Sequence, residues 1–321
     1  MINKINNNED HKVPINLTLF GYEDYFKFFI KLIDNNKLPN VLLLSGQKGI
    51  GKFTFSNHLI FYLFSSIEKR HLYHKEKKID PSNKTYNLLS NNIHPNFYLI
   101  ESDIKNNIEI EKIRKLKLFL NNSTFGNNYK VVLINNSEFL NNSSANALLK
   151  ILEDNLNNTL FILIHDNSKK IIETINSRSI KFNICFSFNK KKEILNKLIL
   201  QNDIIDVNID EIITNLPYES PGVIFNYLNN VLLDKKNSAL DNLKQITNLI
   251  DQYNKIKDKN LLLFIRILIE NFYHKLYLLN NDYNIFKNKI SIIKKINEME
   301  KFNLDNNNIF FEIRNILINE K

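Results

Sequence analysis

Apolar residues in this chain fall into short unbroken runs, separated by stretches in which they recur every three or four positions. Residues 41–44 (Val-Leu-Leu-Leu), 97–100, 131–134 (Val-Val-Leu-Ile) and 160–164 are such runs, and 180–184 is a weaker fifth. A continuous apolar run bounded by polar residues suits a parallel strand buried on both faces. Between the runs, helical periodicity covers 23–34, 52–67, a face starting at Ile110, Ile113, Lys117 and Leu120, and 143–153. In the last of these Ala145, Leu148, Leu149 and Leu152 share one face, with Ser143 or Ser144 as N-cap. Strands alternating with helices predict an α/β domain whose mostly parallel sheet is covered on both sides. From about Ser187 the chain reads as helix after helix. The predicted organisation is a flexible N-terminus over 1–13, an α/β core over 14–186, a small helical lid over 187–230 and an all-α C-terminal domain over 231–321. Residues 68–92 are polar and aperiodic and read as a loop insert.

Composition narrows this picture only slightly. An apolar content of 43% is ordinary for a globular protein. The formal net charge of +9 is compatible with a nucleic-acid partner and equally with a Lys-rich solvated surface. The single cysteine, Cys185, excludes an intramolecular disulfide framework and an all-cysteine zinc site. It reads as a buried thiol in a reducing cytoplasm. The N-terminal residues have no apolar signal core. The most apolar late stretch, 260–279, contains Arg266, Glu270, His274 and Lys275, and so predicts an amphipathic helix rather than a membrane span.

The chemistry-bearing motif follows the first strand. Gly46-Gln47-Lys48-Gly49-Ile50-Gly51-Lys52 joins a strand to a helix, the context a phosphate-binding loop requires. Its glycines allow backbone N–H groups to face phosphate oxygens, the helix N-terminus adds a positive dipole end, and Lys52 is placed to reach β- and γ-phosphates. Two positions depart from a hydrolytic site. The residue after the lysine, which supplies a hydroxyl to Mg²⁺, is Phe53; Thr54 comes one later, rotated by about 100° around the helix. The strand 131–134 ends in Asn135-Asn136-Ser137-Glu138, so an amide stands where a metal-supporting carboxylate belongs. Glu138 lies beyond the strand and reads as a surface or helix-start acid. Losing both contacts costs roughly 10³-fold or more in phosphoryl-transfer rate, so hydrolysis is not expected, whereas weak ATP or ADP binding is compatible with the glycines and Lys52.

Several further segments, in order, resemble the clamp-loader subunits of the AAA+ family. They are Leu19-Phe20-Gly21, Leu38-Pro39-Asn40, His94-Pro95-Asn96, the stretch 142–154 from Asn142 to Asp154, Thr174-Ile175-Asn176-Ser177-Arg178-Ser179 and Ser220-Pro221-Gly222. The 174–179 segment resembles the family's Ser-Arg-Cys motif with Ser179 in place of the cysteine. The helical C-terminus, with Asn303-Leu304-Asp305, is a weaker match. Val223 stands where the family's sensor 2 arginine follows Pro-Gly, a third sign of a silent nucleotide site. The chain looks like a zinc-less form of the delta-prime type of DNA polymerase III subunit.

The resemblance implies a role in DNA replication as a non-hydrolysing stator of a heteropentameric clamp loader. Its partners would be gamma/tau ATPase subunits and a delta subunit, together with the sliding clamp and primed DNA. The C-terminal domain would join a helical collar. No cofactor would be required and no zinc bound, and the chain would work within the DNA-directed DNA polymerase III holoenzyme without an ATPase activity of its own. Arg178 would act in trans as an arginine finger on a neighbour's ATP, with Ser177 positioning its loop; a solvated arginine or an internal ion pair is the plainer reading. His165 and His94 read as structural. The basic cluster Lys69, Arg70, His71, Lys75, Lys77 and Lys78 reads as a solvated loop more readily than as a nucleic-acid contact. Three rivals share parts of the pattern. An active gamma-type ATPase would show turnover by the chain alone, a nucleoside kinase would phosphorylate a monophosphate, and an adaptor outside replication would fail to bind clamp-loader subunits.

Overall fold

A computed structural model describes residues 16–319, apart from 66–69, 71–72, 74–77, 103–106, 125–128, 155–157, 203–208, 211–212, 214–215, 217, 233–241, 258, 281 and 303. The predicted flexible segment 1–13 lies outside the described residues, as do Lys69, His71, Lys75, Lys77 and Asn303. The chain divides into two compact units. The first comprises 1–203 with 220–223, and the second 204–219 with 224–321.

The first unit is built on a five-stranded, all-parallel sheet in the order β2-β3-β4-β1-β5. The strands are β1 Val41–Gly46, β2 Phe97–Ile100, β3 Lys130–Ile134, β4 Thr159–Asp166 and β5 Ile180–Ile184. The three central strands β3, β4 and β1 are almost wholly buried, as their unbroken apolar runs require. One face carries Leu42, Leu44, Val131, Leu133, Leu160 and Ile162 against α1 Glu23–Asp34 and α2 Lys52–Phe64. The opposite face carries Leu43, Val132, Ile134, Phe161 and Leu163 against α4 Ile110–Asn121 and α5 Asn142–Glu153. This is the α/β core expected from the alternation of runs and helices.

Five details differ from the expectations. Residues 84–90, inside the supposed loop insert, form a short helix, α3 Lys84–Ser90, capped by Asn83 Oδ1 accepting from the Thr85 N–H at 2.9 Å. The cap of α5 is Asn141, whose Oδ1 accepts from the Ser144 N–H at 2.8 Å, rather than Ser143 or Ser144. On α4 the buried positions are Ile113 and Leu116, while Lys117 faces solvent. Cys185 is exposed, because it follows the edge strand β5; its backbone exchanges hydrogen bonds with the Tyr25 hydroxyl instead. Glu138, expected at the surface, is half-buried beside the site described below.

Arg70 and Tyr73, inside the supposed solvated loop, are tied back to α2. Arg70 Nε and Nη2 donate to the carbonyls of Tyr62 and Leu63, closing the C-terminal end of α2. His58 is fully buried, with Nδ1 2.5 Å from the Tyr73 hydroxyl and Nε2 2.8 Å from the Asn16 carbonyl.

The remaining helices are α6 Glu173–Ser177, α7 Phe188–Gln201, α8 Pro221–Leu232, α9 Asn242–Ile256, α10 Lys259–Asn280, α11 Tyr283–Phe302 and α12 Asn306–Asn319. In the second unit Ile246, Ile250, Phe264, Ile265, Ile269, Ile292, Ile296, Phe310 and Ile313 form an all-helical interior. Ion pairs that brace it include Arg266 to Glu300 at 2.8 Å and Arg314 to Asp251 at 2.5 Å. No helix among the described residues is long and apolar enough to cross a membrane.

Candidate functional site

β1 ends at Gly46, and the loop 46–52 follows at the C-terminal edge of the sheet, where open α/β sheets bind their ligands. Gly49 and Gly51 have φ of +77° and +101°, the left-handed region that glycine enters without a side-chain clash. Gly51 is the N-cap residue of α2, so the loop opens onto a helix N-terminus as the motif predicts. Tyr22 braces it from one side, its hydroxyl donating to the Ile50 carbonyl at 3.1 Å.

Lys52 is buried, and its Nζ donates to the carbonyls of Gly46 at 2.6 Å and Gln47 at 2.8 Å. Burial lowers its pKa to about 8, against the opposing pull of Asp166 and Glu138. These two acids meet at the end of β4, where the Asp166 N–H donates to Glu138 Oε2 at 3.2 Å. His165, in the same strand end, lies with Nδ1 3.0 Å from Ser45 Oγ and Nε2 3.0 Å from the Lys169 carbonyl, which makes it a structural residue. Phe53 packs partly buried against the core, and Thr54 is half-buried one position on.

Ser220 to Val223 close over the loop. Ser220 Oγ donates to the Lys48 carbonyl at 2.7 Å and accepts from the Val223 N–H at 3.3 Å, while the Gly222 N–H donates to the Gly49 carbonyl at 3.1 Å. A β-carbon on Gly49 would stand 2.5 Å from Ser220 Oγ and 2.8 Å from Val223 Cγ2.

The donor set does not fit a Mg²⁺-triphosphate. Asn135, at the end of β3, presents an amide that donates to Glu101 Oε1 at 3.3 Å, and Phe53 supplies no hydroxyl. Among the described residues no group of three or more His, Cys, Asp or Glu side chains could hold a metal ion.

Arg178 lies at the other edge of the sheet. It caps the C-terminus of the five-residue helix α6 and precedes β5. β5 runs parallel to β1, with Ile180 opposite Leu42 and Ile184 opposite Gly46. Arg178 is thus separated from the phosphate-type loop by the length of the strand, about 16 Å at 3.3 Å per residue. Its side chain is 41% exposed; Nη2 reaches Glu153 Oε1 at 2.5 Å and Nη1 the Thr174 carbonyl at 3.5 Å. Ser177 Oγ donates to the same Thr174 carbonyl at 3.0 Å, and Ser179 Oγ to the Ile175 carbonyl at 3.0 Å, so both hydroxyls tighten the turn that displays the arginine.

The family model described as "DNA polymerase III, delta subunit" matches residues 21–186, just over half of the chain. The chain belongs to this family of clamp-loader subunits, in its delta-prime type. Among curated relatives it is 29% identical over 248 residues to DNA polymerase III subunit delta' of Buchnera aphidicola (subsp. Schizaphis graminum), covering 76% of this chain and 69% of that one. It is 29% identical over 255 residues to the DNA polymerase III subunit gamma of the same organism, covering 76% and 65%. With DNA polymerase III subunit gamma/tau of Mycoplasma genitalium it shares 32% over 194 residues, 60% of this chain and 30% of that one. Among solved structures, a gamma-subunit-related protein from Thermotoga maritima aligns over 92% of this chain and 97% of its own, at 15% identity and a TM-score of 0.46.

For this clamp-loader subunit the site residues expected from sequence thus separate into two groups. Gly46, Gly49, Gly51, Lys52 and Thr54 gather at one edge of the sheet, and Ser177 and Arg178 at the other. Sequence reasoning did not find Ser220 as a clamp on the loop, the acidic pair Glu138 and Asp166 near Lys52, or Glu153 beneath Arg178. The acidic pair had a signal, since Asp166 ends the fourth strand and Glu138 closely follows the third. The other two contacts join residues 172 and 25 positions apart and left none.

Proposed function

We propose that this clamp-loader subunit works as a non-hydrolysing stator of the DNA polymerase III clamp loader, and supplies Arg178 in trans to ATP held by a neighbouring gamma/tau subunit. The observation that carries this reading is the separation of Arg178 from the chain's own phosphate-type loop. A guanidinium exposed at the opposite edge of the sheet cannot serve a nucleotide in its own loop but suits one presented by another subunit. Its fixed charge and planar donor fork match a γ-phosphate, and such a finger is worth roughly 10³–10⁵ in rate. Ser177 holds the turn that presents it.

The altered donors at Phe53 and Asn135, with Val223 at the sensor 2 position, support a silent loop in this chain. Any ATP or ADP bound there would be held by the loop and Lys52 without turnover. In this reading residues 187–230 form the lid and 231–321 the collar. The exposed Tyr277, Leu278, Leu279, Tyr283 and Phe286 of the second unit offer apolar surface to a neighbouring subunit. The remaining partners are a delta subunit in a heteropentamer, the sliding clamp and primed DNA, with salt-dependent DNA affinity spread over the assembly.

The test is ATP turnover by the reconstituted clamp loader with clamp and primed DNA, comparing wild type with Arg178→Ala and using the isolated chain as control. A silent isolated chain, and a large loss on substitution with assembly intact, are expected. Unchanged turnover of the complex removes Arg178 from the reaction. The likeness to gamma subunits favours a second reading, an ATPase in its own right, and turnover by the isolated chain would establish it.

A further inference from the structure

We infer that Glu153 is a resting partner for the Arg178 guanidinium, which a neighbour's phosphate must displace; the inference rests on the trans-acting role proposed for Arg178. Two acceptors converge on the guanidinium, beside the negative end of a helix. Glu153 Oε1 lies 2.5 Å from Nη2, the Thr174 carbonyl lies 3.5 Å from Nη1, and Glu153 is the last residue of α5, where the helix presents its negative end. The topology puts them together. α5 returns from the C-terminal edge of β3 toward the start of β4, and α6 delivers Arg178 just ahead of β5, so both side chains meet at the N-terminal edge of the sheet.

The pair is solvent-accessible on both sides, with side chains 41% and 53% exposed. An exposed carboxylate–guanidinium pair is weak enough to exchange, unlike a buried one, whose separation would leave a desolvated charge behind. A γ-phosphate likewise presents two oxygens to the guanidinium fork, with more charge. Glu153 therefore holds the finger folded back when no triphosphate faces it, and competes with that triphosphate when one does.

The experiment is steady-state ATP turnover by the whole reconstituted clamp loader with Glu153→Gln, Arg178→Ala and the double substitution. Glu153→Gln is expected to raise kcat/KM about two- to fivefold, the scale of an exposed ion pair. The gain should shrink with rising salt, which already weakens the pair in the wild type. In the Arg178→Ala background the same substitution should change nothing, because the pair no longer exists. A fall in kcat/KM, no change, or an equal effect with and without Arg178 would each overturn the resting role. If Arg178→Ala itself leaves turnover intact, it is the trans-acting finger that has failed, and the two failures are distinguishable.

Discussion

The Gly222 N–H donates to the carbonyl of Gly49, 173 residues earlier, at 3.1 Å. This contact allows no side chain on either partner. A β-carbon on Gly222 would stand 2.4 Å from the Gly49 carbonyl oxygen, and Gly49 itself has positive φ. Gly222→Ala should therefore push the 220–223 turn off the loop, at a cost of about 1–3 kcal/mol as for other overpacked sites. Faster amide exchange at Gly49 to Gly51 together with a lower thermal midpoint is the expected result. Unaltered exchange would mean that the turn does not hold the loop.

His58 should make the protein acid-sensitive. The Asn16 carbonyl can only accept, so Nε2 carries the proton, and Nδ1 accepts from the Tyr73 hydroxyl. Burial pushes the imidazole down to about 4 from its usual 6.5. Between those pH values the unfolded chain binds a proton that the folded one refuses, so stability falls as pH drops from 6.5 toward 4, by about 3 kcal/mol in all. Ring NMR should show His58 neutral, in the Nε2–H form, at pH 5.5. The stability difference between wild type and His58→Gln should move against wild type over the same window, and a ring that titrates near 6.5 would rule the buried neutral form out.

Lys52 gives the opposite window. Its pKa in the folded chain, about 8, lies below the unfolded value, because desolvation outweighs the attraction of Asp166 and Glu138. Above pH 8 the unfolded chain holds the extra proton, so unfolding becomes harder as pH rises toward 10.4, by at most about 1.4 kcal/mol per unit. Urea midpoints of wild type and Lys52→Met at pH 7.5 and 9.5 isolate the effect. Wild type should gain on the variant at the higher pH, and a flat difference would show a solvated ammonium.

What the sequence revealed follows from which interactions are local. The strands were legible because central parallel strands are buried on both faces and read as apolar runs. The 46–52 loop was legible because its glycines, lysine and flanking elements form one contiguous motif. Cys185 was misread because Ile184 to Phe186 looks the same whether the last strand is covered or at an edge. Helix α3 was missed because Lys84–Ser90 buries only Leu89 and owes its start to the single cap at Asn83. The choice of Asn141 over Ser143 as cap turns on backbone dihedrals two residues apart. Glu138 was taken for a surface acid because the β4 end it faces lies 28 residues further on. The pairing of Arg178 with Glu153 and the clamp of Ser220 on Lys48 are products of chain topology alone, which no local pattern encodes.

Arg178→Lys separates charge from geometry at the proposed finger. A lysine keeps a positive charge and can still pair with Glu153, so assembly and thermal stability should be near those of wild type, as for most surface substitutions. It lacks the planar fork that lets one guanidinium bond two acceptors at once, as Arg178 does with Glu153 and Thr174. A compact, strongly hydrated ammonium on a flexible stem cannot span two oxygens of a phosphate in the same way. Turnover of the reconstituted complex should therefore recover no more than about tenfold of the 10³–10⁵ that loss of a finger costs. Turnover close to wild type would mean that charge alone suffices at this position, and that the donor fork contributes nothing to the neighbour's reaction.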